Sequence, residues 1–153
     1  MPYGWQFPDE QVSIPANRGT SINCFGLLAR DNRFYYKNTE KNINADFIIG
    51  ILDEFSFKID KPTVVVLDNA SPHKAKKVRE LFGIWQSRGL YIFFLPPYSP
   101  QLNIIERLWK EIKEGWLRPQ DYVSADNLFY ALDRVCAAIG SQIFMKFSDF
   151  NLN

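Results

Sequence analysis

Cysteine and histidine are scarce in this 153-residue chain: Cys24, Cys136 and a single histidine, His73. The two cysteines stand far apart, with no Cys or His at a metal-ligand spacing. That excludes a zinc motif and a disulfide framework, and it fits a reduced, cytosolic setting. No uninterrupted apolar run approaches the roughly 20 residues of a membrane span. The N-terminal MPYGWQFPDE has no basic stretch followed by an apolar one, so neither an anchor nor a leader is expected. Repeats, low-complexity tracts and long linkers are also missing, which leaves one unit.

Apolar residues, by contrast, make up 46% of the chain and aromatics 16%, with thirteen Phe. A chain of this length and composition can bury a core. The rings imply either a tightly packed interior or exposed faces that meet a partner or a nucleobase. Net charge is only +1 but unevenly spread. Residues 1–60 carry 6 basic and 8 acidic side chains, 61–118 carry 10 and 5, and 119–153 carry 2 and 4. A basic middle points modestly to a polyanion; solvated helix faces would read the same way.

Local patterns give an order of elements. SINCFGLLA (21–29) and RFYYKN (33–38) read as a β-hairpin through RDN. A helix follows, with Asn44 as N-cap and Phe47, Ile48, Ile51, Leu52 and Phe55 on one face. TVVVLDNA (63–70) lacks alternation, which predicts a strand buried on both faces of a parallel sheet. The next segment predicts one helix, capped by Ser71 with Pro72 at its first position, striped by Val78, Leu81, Phe82 and Trp85, and stopped at Gly89. LYIFFLP predicts a second buried strand, so the order is βαβ. After the prolines, a helix buries Ile105, Leu108, Trp109, Ile112 and Trp116. A last helix, about 124–140, faces the core through Leu128, Leu132, Val135 and Ile139. Segments 1–20 and 141–153 are the least determined.

Two acids map to the carboxyl ends of strands, where open α/β sheets place ligand sites, and they would converge at one edge if the two strands are neighbours, as a short βαβ unit suggests. Asp68 ends the TVVVL strand, and Glu106 opens the helix beyond a loop stiffened by proline. Oxygen ligands of this kind suit a hard divalent cation. Other roles compete. Asn103 and Glu106 have capping-box spacing, Lys110 stands four residues on as an ion-pair partner, and Asp68-Asn69 suits a polar turn. His73, Lys74, Lys76, Lys77 and Arg79 could meet phosphate or simply cap and solvate a helix. Lys110 and Lys113 share the side of the helix that carries Glu106, at i+4 and i+7.

VVLDNASPHKA followed by FFLPPYSPQLNIIERLWKEIK resembles the catalytic domain of DDE transposases of the mariner-like insertion-sequence superfamily. Asp68, Asn69, Ala70 and His73 match its first motif. Pro96, Pro97, Tyr98, Ser99, Pro100, Leu102, Asn103, Glu106, Trp109 and Lys113 match its second, and 37 residues separate the two acids. Gln101 and Ile104 replace an Asp and a Pro often found there; neither position is a metal ligand. The resemblance spans about residues 3–120. It implies an RNase H-like α/β fold, a mixed sheet flanked by helices, with Asp68 and Glu106 as the second and third catalytic acids and metal ligands. It also implies two Mg²⁺ or Mn²⁺ ions in the complete site, DNA (element ends and target) as partner, and DNA contacts from His73, Lys74, Lys77, Lys110 and Lys113. The setting would be the prokaryotic cytoplasm, associated with the nucleoid and not with a membrane.

In that family the first acid lies on a central strand upstream of the Tyr-Gly-Trp stretch, and here Tyr3 is already the third residue. The expectation is therefore residues 1–153 as a single partial catalytic domain without its first central strand. It would be inactive alone, a homodimer or completed by an upstream fragment, or else a non-catalytic DNA-binding or self-associating module. Asp9 is the one upstream acid near a strand position, with no apolar run leading into it.

Overall fold

The computed structural model describes residues 3–7, 11–16, 21–68, 75–96 and 104–147. Two three-stranded sheets carry the fold. One is parallel, in the order β1 (Tyr3–Phe7), β5 (Thr63–Leu67), β6 (Leu90–Phe94); the other is antiparallel, with β3 (Ser21–Leu28) between β2 (Gln11–Pro15) and β4 (Phe34–Thr39). β1 lies beside β3 and brings the sheets together. The edge of β5 that an absent central strand would leave unpaired is therefore occupied, residue for residue from Tyr3↔Thr63 to Phe7↔Leu67. This strand, YGWQF, contains no carboxylate.

The expected hairpin is β3–β4, whose turn places Asn32 at φ 70°. Helix α1 (Ala45–Lys58) starts where Asn44 Oδ1 accepts the Phe47 N–H, 2.9 Å, and buries Ile48, Ile51, Leu52 and Phe55. β5 crosses to β6 through two short helices, α2 (Lys76–Arg79) and α3 (Phe82–Ser87), where one helix was expected. The Leu81 N–H bonds back only three residues, to Val78, and Gly83 is a weak helix former just beyond, so the winding tightens and breaks. The caps expected at Ser71 and Pro72 lie outside the described residues.

The two parallel strands are also less enclosed than their composition suggests. On β5, Thr63, Val65 and Leu67 are buried while Val64 and Val66 are half-buried; β6 is an edge strand with Tyr91 and Phe93 exposed. A β-rich run alone does not report whether the second face acquires a cover.

α4 (Ile104–Glu111) packs on β1 and β3 through Ile104, Ile105, Leu108 and Trp109. It continues as a π-helical turn, Ile112–Trp116, a 3-10 turn, Pro119–Val123, and α5 (Ala125–Ala138), capped by Ser124. Leu128, Leu132 and Cys136 of α5 are buried, whereas Val135, expected in the core, is half-buried. No helix among the described residues is long and apolar enough to cross a membrane.

Candidate active site

The carboxyl ends of the parallel strands are level, since Phe7, Leu67 and Phe94 are register partners. Asp68 follows directly and is half-buried. One residue past β6, the Leu95 N–H donates to Leu67 O at 2.7 Å, which ties the start of the proline loop to the strand end that presents Asp68. That loop returns the chain to α4, with Glu106 exposed in the first turn.

Trp109 seats this helix. Its ring meets Phe34 edge-on, with centroids 6.1 Å apart, and both lie over Gly26 of β3. A Cβ at position 26 would fall 2.5 Å from Phe34 and 3.0 Å from Trp109, so glycine is what lets both rings approach the strand this closely. Burying residues of this size stabilises the seat by about 1.5–3 kcal/mol each. Glu106 is thus held from below by the core face of its own helix.

The basic candidates divide. Lys77 pairs with Asp46 at 3.1 Å, Lys76 reaches Glu80 at 3.8 Å, and the Arg79 guanidinium lies 5.9 Å over the Phe94 ring. Lys110 and Lys113, by contrast, are exposed and have no ion pair among the described residues. Lys110 stands one turn beyond Glu106 on the same face; Lys113 falls within the π turn. His73 and Lys74 lie outside the described residues, as do Asn69, Ala70, Pro97–100, Leu102 and Asn103.

Asp68 and Glu106 are oxygen donors of the type that Mg²⁺ and Mn²⁺ take, completed by water and phosphate. Among the described residues no three His, Cys, Asp or Glu side chains group closely enough to hold a metal. The donor chemistry fits a hard cation, and the described set falls short of a full carboxylate triad.

Sequence reasoning missed several features next to α4. Trp116 is half-exposed where a core position was expected. The Leu117 N–H bonds to Ile112 O at 3.0 Å, five residues back, and Leu117 is buried in its stead. Arg118 and Arg134 stand nearby in a cleft of about 430 Å³ that Trp116 also lines. The signal that could have found them is Gly115, which interrupts the helical pattern just before Trp116.

Comparison with known proteins agrees with this architecture. The family model described as DDE superfamily endonuclease matches residues 1–128. A protein of Sinorhizobium fredii (strain NBRC 101917 / NGR234) called uncharacterized protein y4pE/y4sA is 29% identical over 75 residues, 49% of this chain and 49% of its own length. The match thus spans about half of that relative. Among solved structures, the Mos1 transposase catalytic domain with raltegravir and Mg superposes at TM-score 0.64, 17% identity, over 89% of this chain and 71% of that one. The catalytic core domain of BIV integrase does so at 0.62, 14% identity, over 95% and 88%. The simian T-cell lymphotropic virus intasome chain, solved with the PP2A regulatory subunit B56 gamma, gives 0.64 at 14%, over 95% and 51%. At these identities the structural likenesses speak for the fold, which is that of RNase H-like integrase and transposase cores. With its family match extending over most of its length, the chain belongs to the DDE superfamily endonucleases.

Proposed function

We propose that this chain is a portion of a transposase catalytic domain whose complete form cleaves DNA strands and joins them, and that the chain alone is inactive. The observation that supports the reading is that Asp68 follows the carboxyl end of β5, while Glu106 opens α4, a helix packed on β1, the strand paired with β5. Asp68 and Glu106 would hold Mg²⁺ or Mn²⁺, which when bound supplies Lewis-acid stabilisation to a phosphodiester. Lys110 and Lys113, exposed on the helix of Glu106, would orient the DNA backbone through its phosphates; His73, Lys74 and Lys77 are further candidates.

Inactivity is argued from the acids among the described residues: the strand beside β5 is YGWQF, without a carboxylate, and Asp68 and Glu106 as two acids would hold paired metals weakly. The same strand favours a second reading, a non-catalytic DNA-binding module, because it occupies the place from which a third acid would come. Completion by an upstream fragment, in contrast, would have to displace β1.

A nicking assay on labelled duplex DNA across a Mg²⁺ and Mn²⁺ titration, with and without an upstream fragment, tests this. The expected result is no cleavage by the chain alone and metal-dependent cleavage only in a completed protein, abolished by Asp68→Ala or Glu106→Gln. Cleavage by the isolated chain that Asp68→Ala removes would overturn the claim of inactivity. DNA binding without cleavage in either setting would favour the module.

A further inference from the structure

Trp116 is moved from the fully buried stripe to the margin of the core, where it is partly buried, by an identifiable device. Continued α-helical winding from Ile112 would carry it, four residues on, onto the buried stripe of Ile105, Leu108 and Ile112. The π turn, closed by the Leu117 N–H on Ile112 O, gives that place to Leu117 and leaves the indole half-exposed. Such turns concentrate where function needs a side chain re-aimed.

The indole walls two clefts. One, of about 590 Å³, is of mixed charge, with Arg107, Lys110, Glu111 and Glu114 and with Arg107 paired to Glu111 at 3.8 Å; the other, of about 430 Å³, holds Arg118 and Arg134. The Arg118 and Arg134 guanidiniums make no ion pair among the described residues, although Asp121 lines the same cleft: its carboxylate accepts the Arg118 backbone N–H at 2.8 Å. Arg134 lies 5.7 Å over the ring of Tyr130, which is also exposed. An aromatic face beside two guanidiniums without ion pairs among the described residues, those of Arg118 and Arg134, matches a nucleotide, with the base on the ring and phosphate on guanidinium. Both clefts have the volume of small-ligand sites.

We infer that Trp116 is a base-stacking platform for single-stranded DNA, with Arg118 and Arg134 holding the adjoining phosphates, so that the strand track runs from the helix of Glu106 onto α5. This deepens the proposed function and rests on DNA being the partner.

The test is fluorescence anisotropy in EDTA with the full chain, using a labelled twelve-residue oligothymidylate and an abasic oligomer of equal length. The parent should bind the base-bearing strand more tightly. Trp116→Leu, which keeps apolar bulk without a π-face, should weaken oligothymidylate binding about tenfold and leave the abasic strand unchanged, while Trp116→Phe should restore base-dependent binding. Arg134→Gln should weaken both strands and lower the salt slope by about 0.7. Trp116→Leu binding both strands as the parent does, or weakening both equally with an unchanged melting temperature, would overturn the platform and leave DNA as partner standing. A parent that binds no DNA at all would overturn both.

Discussion

Single side chains commit parts of this fold that the backbone alone would leave loose. Asn32, 7% exposed, donates from Nδ2 to Met145 O at 3.0 Å and accepts the Met145 N–H at 2.5 Å on Oδ1. It ties the hairpin turn to the chain beyond α5. Gly140 passes so close that a Cβ there would fall 2.5 Å from Asn32 O, and its φ of +86° also favours glycine. Asn32→Ala should cost about 2–4 kcal/mol, from two lost buried hydrogen bonds and a left-handed backbone. Asn32→Gly should recover only the backbone share; urea denaturation of the three proteins separates the two contributions.

Asp53 gives a pH signature. The Arg88 guanidinium, 2.6 Å away, and the indole N–H of buried Trp85, 3.2 Å away, hold its carboxyl below the ordinary range against a smaller opposing effect of burial. A depressed folded value means that the stabilisation is whole above about pH 4, the unfolded value, and is lost as pH falls through the folded one. The carboxylate is 44% exposed, so the contribution is about 1 kcal/mol. Asp53→Asn should flatten the acid limb of a melting-temperature profile and leave its neutral plateau about 1 kcal/mol lower.

Among the elements, those with short-range signals were legible. Asn44 before an apolar stripe and the RDN turn between β-rich runs each specify a local structure that tertiary packing then keeps. β1 and β2 were not, because YGWQF and QVSIP acquire meaning only from partners more than 50 and about 10 residues away. Asp68 and Glu106 were legible as residue types at the ends of elements. Trp116, Arg118 and Arg134 were not, since an i+4 count assumes the winding that the π turn changes. The seat of α4 offers the check at this scale. Gly26→Ala should push Phe34 and Trp109 off β3 and destabilise the protein by about 1–3 kcal/mol, visible as a lower denaturation midpoint with near-ultraviolet dichroism altered.

Over the whole molecule, Cys24 of β3 and Cys136 of α5 report on cooperativity. Both are buried, and burial together with the hydrogen-bonded Cys136 raises the Cys24 thiol well above its ordinary value, so it is protonated at neutral pH. A protonated, enclosed thiol does not react. Iodoacetamide should therefore label Cys24 in the native protein only as fast as the molecule opens, and modest urea should accelerate labelling in step with global unfolding. Labelling of native Cys24 at the rate of a free thiol would show α5 lifting off β3 by itself.

The π turn is also how the helix that begins at Ile104 ends. Up to it, burial follows one angular register from Ile104 to Ile112; at its close the buried position falls on the fifth residue after Ile112, Leu117, where the backbone turns extended. Removing Gly115 would make Leu117 the fourth residue after Ile112, so that an ordinary α turn seats the same leucine and the indole keeps its half-exposed place. Such a shortened protein should keep its tryptophan emission maximum, and a single-residue deletion in the last helical turn, ordinarily disruptive, should here be tolerated by the core.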